Sequence, residues 1–119
     1  MGPMIVEFGL GTSLRRGDYT QAAERAVRAA LWRNSINLAE YIGVAKEDMV
    51  IEVRIGCAQP DAVDVDVLAS AFPYGQTSFV VEKGGLDVVR PEGTGNPTVM
   101  AQAALIVSVD ASERPLGAT

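Results

Sequence analysis

The 119-residue chain has no histidine. That removes imidazole general bases, His-centred triads and His-containing metal sites together. A single cysteine, Cys57, excludes an intrachain disulfide and a Cys-rich zinc site. With neither residue type in number, no metal or other cofactor is expected. Aromatics are scarce too: three Phe, three Tyr and one Trp leave the core to Val, Ile, Leu and Ala. No apolar run is long enough to span a bilayer, and no signal peptide is visible.

Net charge is −5, which argues against nucleic acid or an anionic membrane as the main partner. The expected compartment is the cytoplasm. At this length one domain with a real core is expected, over residues 4–109. Residues 1–3, with Gly2-Pro3 before a second methionine, read as a tag remnant. Residues 110–119, polar and marked by Pro and Gly, read as a loose tail.

The pattern of apolar residues predicts an α+β two-layer sandwich in the order β-α-β-α-β-β, with an approximately four-stranded mixed sheet and two main helices on one face. Met4 to Phe8 is short and apolar, as in a buried strand. Asp18 and Gln21 fit an N-cap and its N3 partner, opening a helix from Thr20 to about Asn34. Ala23, Val27, Ala30 and Leu31 share one face of it, and Glu24 and Arg28 are placed for an i,i+4 pair. So small a stripe predicts close approach to a sheet. Asn37 to Glu40 repeats the capping pattern, predicting a separate short helix that Gly43 ends.

Further along, Met49 to Gly56 alternates, with Ile51, Val53 and Ile55 on one side and Glu52 and Arg54 on the other, the signature of a half-buried strand. Pro60 to Phe72 reads as loop, then a helix capped by Asp64, with Val67, Leu68, Ala71 and Phe72 on its inner face. The carboxylates of Asp61, Asp64 and Asp66 fit helix capping better than a metal cluster. Thr77 to Lys83 is β-rich, Gly84-Gly85 permits a bend, and Leu86 to Arg90 continues the strand. Pro91 to Pro97 is a loop able to cover a pocket or meet another subunit. Val99 to Val109 alternates again. Val80, Ala104 and Ile106 stay on the outer side, an apolar face of the sort that oligomerisation closes.

The stretch Gly9 to Thr20 is read as a glycine-punctuated loop between strand and helix. Glycines admit a ligand close to the backbone, and a helix start offers N–H groups to an anion. Gly9-x-Gly11, Asp18-x-Thr20 and the alanine-rich helix resemble a small family of uncharacterised bacterial and plant proteins with an N-terminal G-x-G-x-D-x-H-G signature. The likeness continues in Asn34-Ser35, Ile55-Gly56, Phe72-Pro73-Tyr74-Gly75 and Gly84-Gly85-Leu86. It departs where the signature has Asp and His: this chain has Ser13 and Arg15 there, and Arg16 in place of the last Gly. The pattern is also similar to one repeat of the ring-opening amidohydrolases acting on cyanuric acid and barbiturate, in which three α+β units surround an active site. By that resemblance a homotrimer would imitate the arrangement.

Without histidine a hydrolase needs a serine activated by lysine, or carboxylate chemistry. Lys83, beside Gly84-Gly85, would become a base if desolvated; Ser13, Ser35 and Ser78 are candidate nucleophiles. The amidohydrolase resemblance implies Ser13 or Ser35 with Lys83, and Arg54 holding carbonyl oxygens. Arg15 and Arg16 suit a carboxylate at the helix mouth, and Tyr74 is placed to close a pocket. The expected function is binding of a small polar or anionic metabolite between subunits of a homo-oligomer, a trimer or hexamer. Gly9, Gly11, Arg15, Arg16, Arg54, Tyr74, Gly84 and Gly85 would line the site, with metal-free hydrolysis of a cyclic amide as the reaction if there is one. The alternatives are a non-catalytic subunit that completes a homologue's active site in a heteromer, and a ligand sensor.

Overall fold

A computed structural model describes residues 4–42, 49–72, 75–91 and 93–109, with side chains described for 5–31 in the first of these segments and as far as Ser108 in the last. Strand β1 (Met4–Ser13) leads to helix α1 (Tyr19–Ile42), then β2 (Met49–Cys57), a 3₁₀ turn (Pro60–Ala62) and a short α2 (Val65–Ala69). Strands β3 (Gln76–Lys83), β4 (Leu86–Val88) and β5 (Thr98–Val109) complete the chain. The sheet order is β1-β5-β2-β3, with β4 also paired to β5. β2 and β3 run parallel; β5 is antiparallel to β1, β2 and β4. This is the expected α+β class, with both helices on one side of five strands.

The core lies between α1 and the sheet. Met49, Ile51, Val53, Ile55 and Cys57 on β2 meet Ala101, Ala103, Leu105 and Val107 on β5 beneath Ala22, Ala23, Ala26, Val27 and Ala30, all buried. Alternation along β2 and β5 falls as their sequences predict, because only one sheet face is covered. Asp18 caps α1 as expected: its Oδ1 accepts the Gln21 N–H at 3.0 Å. Glu24 and Arg28 pair at 3.1 Å along the exposed face.

The first strand is longer and more exposed than Met4 to Phe8 suggests. It runs through Gly9 and Gly11 to Ser13, and those glycines lie under the helix instead of in a ligand loop. A Cβ on Gly9 would sit 2.2 Å from the Ala26 carbonyl oxygen, and one on Gly11 would sit 2.2 Å from that of Ala22. Backbone rests on backbone here. The glycines and alanines form one contact, which lets the helix lie lower than side chains of ordinary size allow. The true connection is the bend at Leu14 to Asp18. Thr98 Oγ1 donates to the Leu14 carbonyl at 3.2 Å and Asn96 Nδ2 to the Arg15 carbonyl at 3.4 Å, pinning it to the start of β5 and the loop before it.

Three other expectations change. The break between two helices near Asn37 does not occur: α1 is continuous over 24 residues. No Gly or Pro interrupts the segment, and Asn at a potential cap is tolerated in a helix interior at a modest propensity cost. Helix α2 is only five residues long, capped by Asp64 Oδ1 accepting from Asp66 N–H at 3.0 Å. Leu68 and Ala71 are buried there, whereas Val67 is exposed and Phe72 stacks edge-to-face on Phe79 at 6.1 Å. Gly43 and the 110–119 tail lie outside the described residues.

The expected continuation from β3 through Leu86 is instead a change of lane. β3 flanks β2, and the chain then crosses the end of β2 so that β4 occupies the position beside β5 that β2 has vacated. Gly84 N–H donates to the Cys57 carbonyl at 2.9 Å during the crossing. Gly85 has φ +67°, and a Cβ there would lie 2.3 Å from the Met100 carbonyl oxygen, so both conformation and space require glycine.

Candidate functional site

The face of the sheet opposite the helices is open, and the strand register arranges it in rows. One row reads Phe8, Ala104, Arg54, Val80; the next reads Leu10, Gln102, Gly56, Glu82. Phe8 and Arg54 therefore flank Ala104 across two strand spacings, about 10 Å. The methyl of Ala104 and the bare backbone of Gly56 make a low floor between taller neighbours. The result is a concavity of about 450 Å³ with Val6, Phe8 and Ile106 toward one wall and Arg54 and Glu82 toward the other.

Its polar groups are organised. Arg54 forks onto the Glu82 carboxylate, with Nη2 at 2.8 Å from Oε2 and Nε at 3.0 Å from the same oxygen. The hydrogen bonds from Glu82, then its charge, raise the guanidinium pKa further above its ordinary value. Gln102 Oε1 accepts the Gly85 N–H at 2.9 Å. This leaves the side-chain NH2 of Gln102 as a donor beside the floor. Two donor groups on one side of an aromatic and aliphatic wall suit a flat ligand with carbonyl or carboxylate oxygens.

The residues expected to form a catalytic set are not gathered there. Ser13 is fully buried on the helix side, where its Oγ accepts the Asp18 N–H at 3.3 Å. It ends β1, while Lys83 ends β3, so three strand spacings, about 14 Å, separate them. Ser78 stands on the open face of β3 five residues from Lys83, about 16 Å along the strand. Neither serine lines the concavity, whereas Lys83 and Gly84 do. Arg15 and Arg16 lie exposed in the bend after β1, away from the concavity, with Arg16 3.6 Å from Asp18. Tyr74 and the side chain of Ser35 lie outside the described residues. Of the expected set, Arg54, Lys83 and Gly84 meet at the concavity, and Gly85 adjoins it by holding Gln102.

Phe8, Ala104 and Gln102 were not legible as a group, because their proximity depends on the register between β1, β5 and β2. A second polar cluster was also missed. On the helix side of β4, Asp87 Oδ2 accepts the phenol hydrogen of Tyr19 in a very short hydrogen bond, while its Oδ1 is buried with no partner. That bond, reinforced by burial, pushes the Tyr19 pKa up to about 12. Cys57 is fully buried nearby, and burial pushes its thiol up. The only signal for this cluster is an acid standing between two apolar residues, Leu86-Asp87-Val88. Among the described residues no group of three or more Cys, Asp or Glu side chains is placed to hold a metal ion. No helix among them is long and apolar enough to cross a membrane.

Comparison with known proteins places this architecture among uncharacterised relatives. The model of a family described as "Conserved hypothetical protein (Lin0512_fam)" matches residues 3–107. The crystal structure of an FtsZ-like protein of unknown function from Nostoc punctiforme is similar at a TM-score of 0.79 and 30% identity, covering 89% of this chain and 93% of that one. No curated protein matches.

Proposed function

The chain belongs to the conserved hypothetical family Lin0512_fam, and we propose that it binds a small, flat, polar or anionic metabolite over Ala104 on the open sheet face. The observation that carries this reading is the row Phe8–Ala104–Arg54, with Gln102 held in the next row by Gly85. Phe8 offers a ring face and Arg54 a planar fork of donors; Gln102 adds a neutral donor. A ligand with two exocyclic oxygens engages both. The similarity of the sequence pattern to ring-opening amidohydrolases favours cyclic amides and imides within that class.

The reading is of binding without turnover by a Ser13–Lys83 pair. A serine that is fully buried and engaged with a backbone N–H has no path to a ligand on the other face of the sheet. Ser13 and Arg15 standing where the family signature has Asp and His support a second reading, in which this chain is the supporting subunit beside a homologue with the full signature. Titration calorimetry of the wild type and Arg54→Met against cyclic imides, barbiturate-like rings and planar carboxylates tests the first. Loss of a charged hydrogen-bonding group should weaken binding roughly 10- to 100-fold. Absence of binding by every ring, or equal affinity in Arg54→Met, refutes it.

A further inference from the structure

We infer that Gln102 decides which rings the concavity accepts: it takes a ring carrying an exocyclic oxygen and turns away the same ring carrying an amino group there. Gln102 acts within the ligand site proposed above, and this discrimination rests on that reading. A glutamine side chain has an acceptor on one arm of its amide and two donor hydrogens on the other, so by itself it suits either kind of partner. Here the fold has made the choice. Gln102 Oε1 accepts the Gly85 N–H at 2.9 Å. Turning the amide over would set its NH2 against that N–H, donor against donor, and leave the N–H without its acceptor.

Bare backbone makes room for the amide oxygen. A Cβ on Gly56 would sit 3.1 Å from Gln102 Oε1, and one on Gly84 would sit 3.3 Å from it. A side chain at either position would press on that oxygen. Gly84 also lies close on Gly56, where its Cβ would stand 3.1 Å from the Gly56 Cα. Three glycines thus gather round one oxygen where the chain crosses from β3 to β4. With that oxygen engaged, Gln102 offers the concavity it lines only its pair of amide hydrogens.

The other side-chain acceptor lining the concavity is engaged as well. Glu82 Oε2 accepts from Arg54 Nε at 3.0 Å and from Nη2 at 2.8 Å, and its Oε1 accepts from Nη2 at 3.1 Å. That fork occupies Nε and one edge of Nη2 and leaves Nη1 for a ligand. Both acceptor groups therefore serve the protein, and donors face the ligand. Register sets where those donors stand. Arg54 is one strand away from Ala104 across the sheet, and Gln102 is two residues along β5 from it on the same face. A ring lying over Ala104 meets Arg54 on one side and Gln102 on the adjacent side, which suits the two carbonyl oxygens of a cyclic imide. An amino group in either place would point hydrogens at hydrogens.

The test uses cyanuric acid and melamine, the same ring bearing three oxygens or three amino groups. Their symmetry means that every orientation presents the same groups. Titration calorimetry at pH 6, where both rings are mainly uncharged, gives the ratio of their affinities for wild type, Gln102→Glu and Gln102→Met. Gln102 is exposed, so neither substitution burdens the core. Wild type should bind cyanuric acid roughly 10- to 100-fold more tightly than melamine. Gln102→Glu keeps an oxygen for the Gly85 N–H and puts an acceptor where the hydrogens were. Its preference should shift toward melamine by about tenfold or more. Gln102→Met, uncharged and without hydrogen-bonding groups, should fall between the two, which separates the lost hydrogen bond from the added charge. Equal binding of the two rings by wild type, or a wild-type ratio in either variant, overturns the role of Gln102 and leaves the ligand site standing. Binding of neither ring by wild type overturns it too; the ligand site itself falls only if the other imides and the planar carboxylates also fail to bind.

Discussion

Replacing Tyr19 with Phe removes one hydroxyl and keeps the ring that packs on the core. In the wild type that hydroxyl is the only described donor to Asp87, whose other oxygen is already buried and unpartnered. Without it both carboxylate oxygens lack a partner beneath the first turn of α1. A buried acceptor left unsatisfied costs about 1–3 kcal/mol, so about 2 kcal/mol is the expected loss. For a domain of this size that lowers Tm by about 8 °C. The assay is urea unfolding at pH 8 of wild type, Tyr19→Phe, Asp87→Ala and the double variant. A coupling energy of about 1 kcal/mol or more between the two positions is expected from direct contact.

The same bond sets a pH dependence whose sign follows from the raised pKa. Below pH 10 the phenol keeps its proton in both folded and unfolded chains, and the stabilisation is present in full. Between about 10 and about 12 the unfolded phenol ionises while the folded one does not, so the contribution is lost through that window. Two units would correspond to about 2.7 kcal/mol. The ring is partly exposed, and solvent screening reduces this to about 1 kcal/mol. The stability gap between wild type and Tyr19→Phe should therefore narrow from pH 10 upward. Tyrosinate absorbance should show a late-titrating tyrosine in the wild type that is missing in the variant. A Tyr19→Phe protein within 0.5 kcal/mol of wild type, or a gap flat with pH, would refute the reasoning.

Two further outcomes follow from the core. Gly11→Ala places a methyl against the backbone of Ala22 and Ala26, at 2.2 and 2.3 Å from their O and N atoms, so α1 must lift from the sheet. A loss of about 3 kcal/mol or more is expected in urea unfolding, and an unchanged midpoint would mean the helix rides higher than described. Cys57, fully buried and with its thiol pushed up by burial, should react with an aromatic disulfide only as fast as the chain opens; stoichiometric labelling of native protein within seconds would contradict its placement.

What was legible in the sequence was whatever a single element decides for itself. The alternation of Ile51, Val53 and Ile55 with Glu52 and Arg54 needs only a strand with one covered face. The Asp18 cap and the alanine stripe need only a helix. Glycine misled, because the same residue serves two physical ends. At Gly85 it supplies a positive φ at a crossing, as its doublet suggests. At Gly9 and Gly11 it supplies the absence of a side chain inside a strand, and a G-x-G pattern after an apolar run looks alike in both cases. The discriminating clue was present: two glycines at strand spacing followed by Ala22, Ala26 and Ala30 at helical spacing, one small surface made for the other.

The candidate site was less legible because it belongs to no element. Arg54 was assigned to the open side from β2 alone. Its neighbours were not, since Ala104 meets Phe8 on one side and Arg54 on the other only once β5 has inserted between β1 and β2 in a fixed register. That register follows from burying one face: slipping β5 by one residue would turn Ala101, Ala103, Leu105 and Val107 out of the core. The covered face thus determines the row on the open face, although it shares no side chain with it. Close packing beneath α1 fixes the strands in place, and the strands deliver Phe8, Ala104 and Arg54 to one surface. A variant that lifts the helix, such as Gly11→Ala, should therefore disturb the open face as well, whereas Arg54→Met should leave the packing under the helix intact.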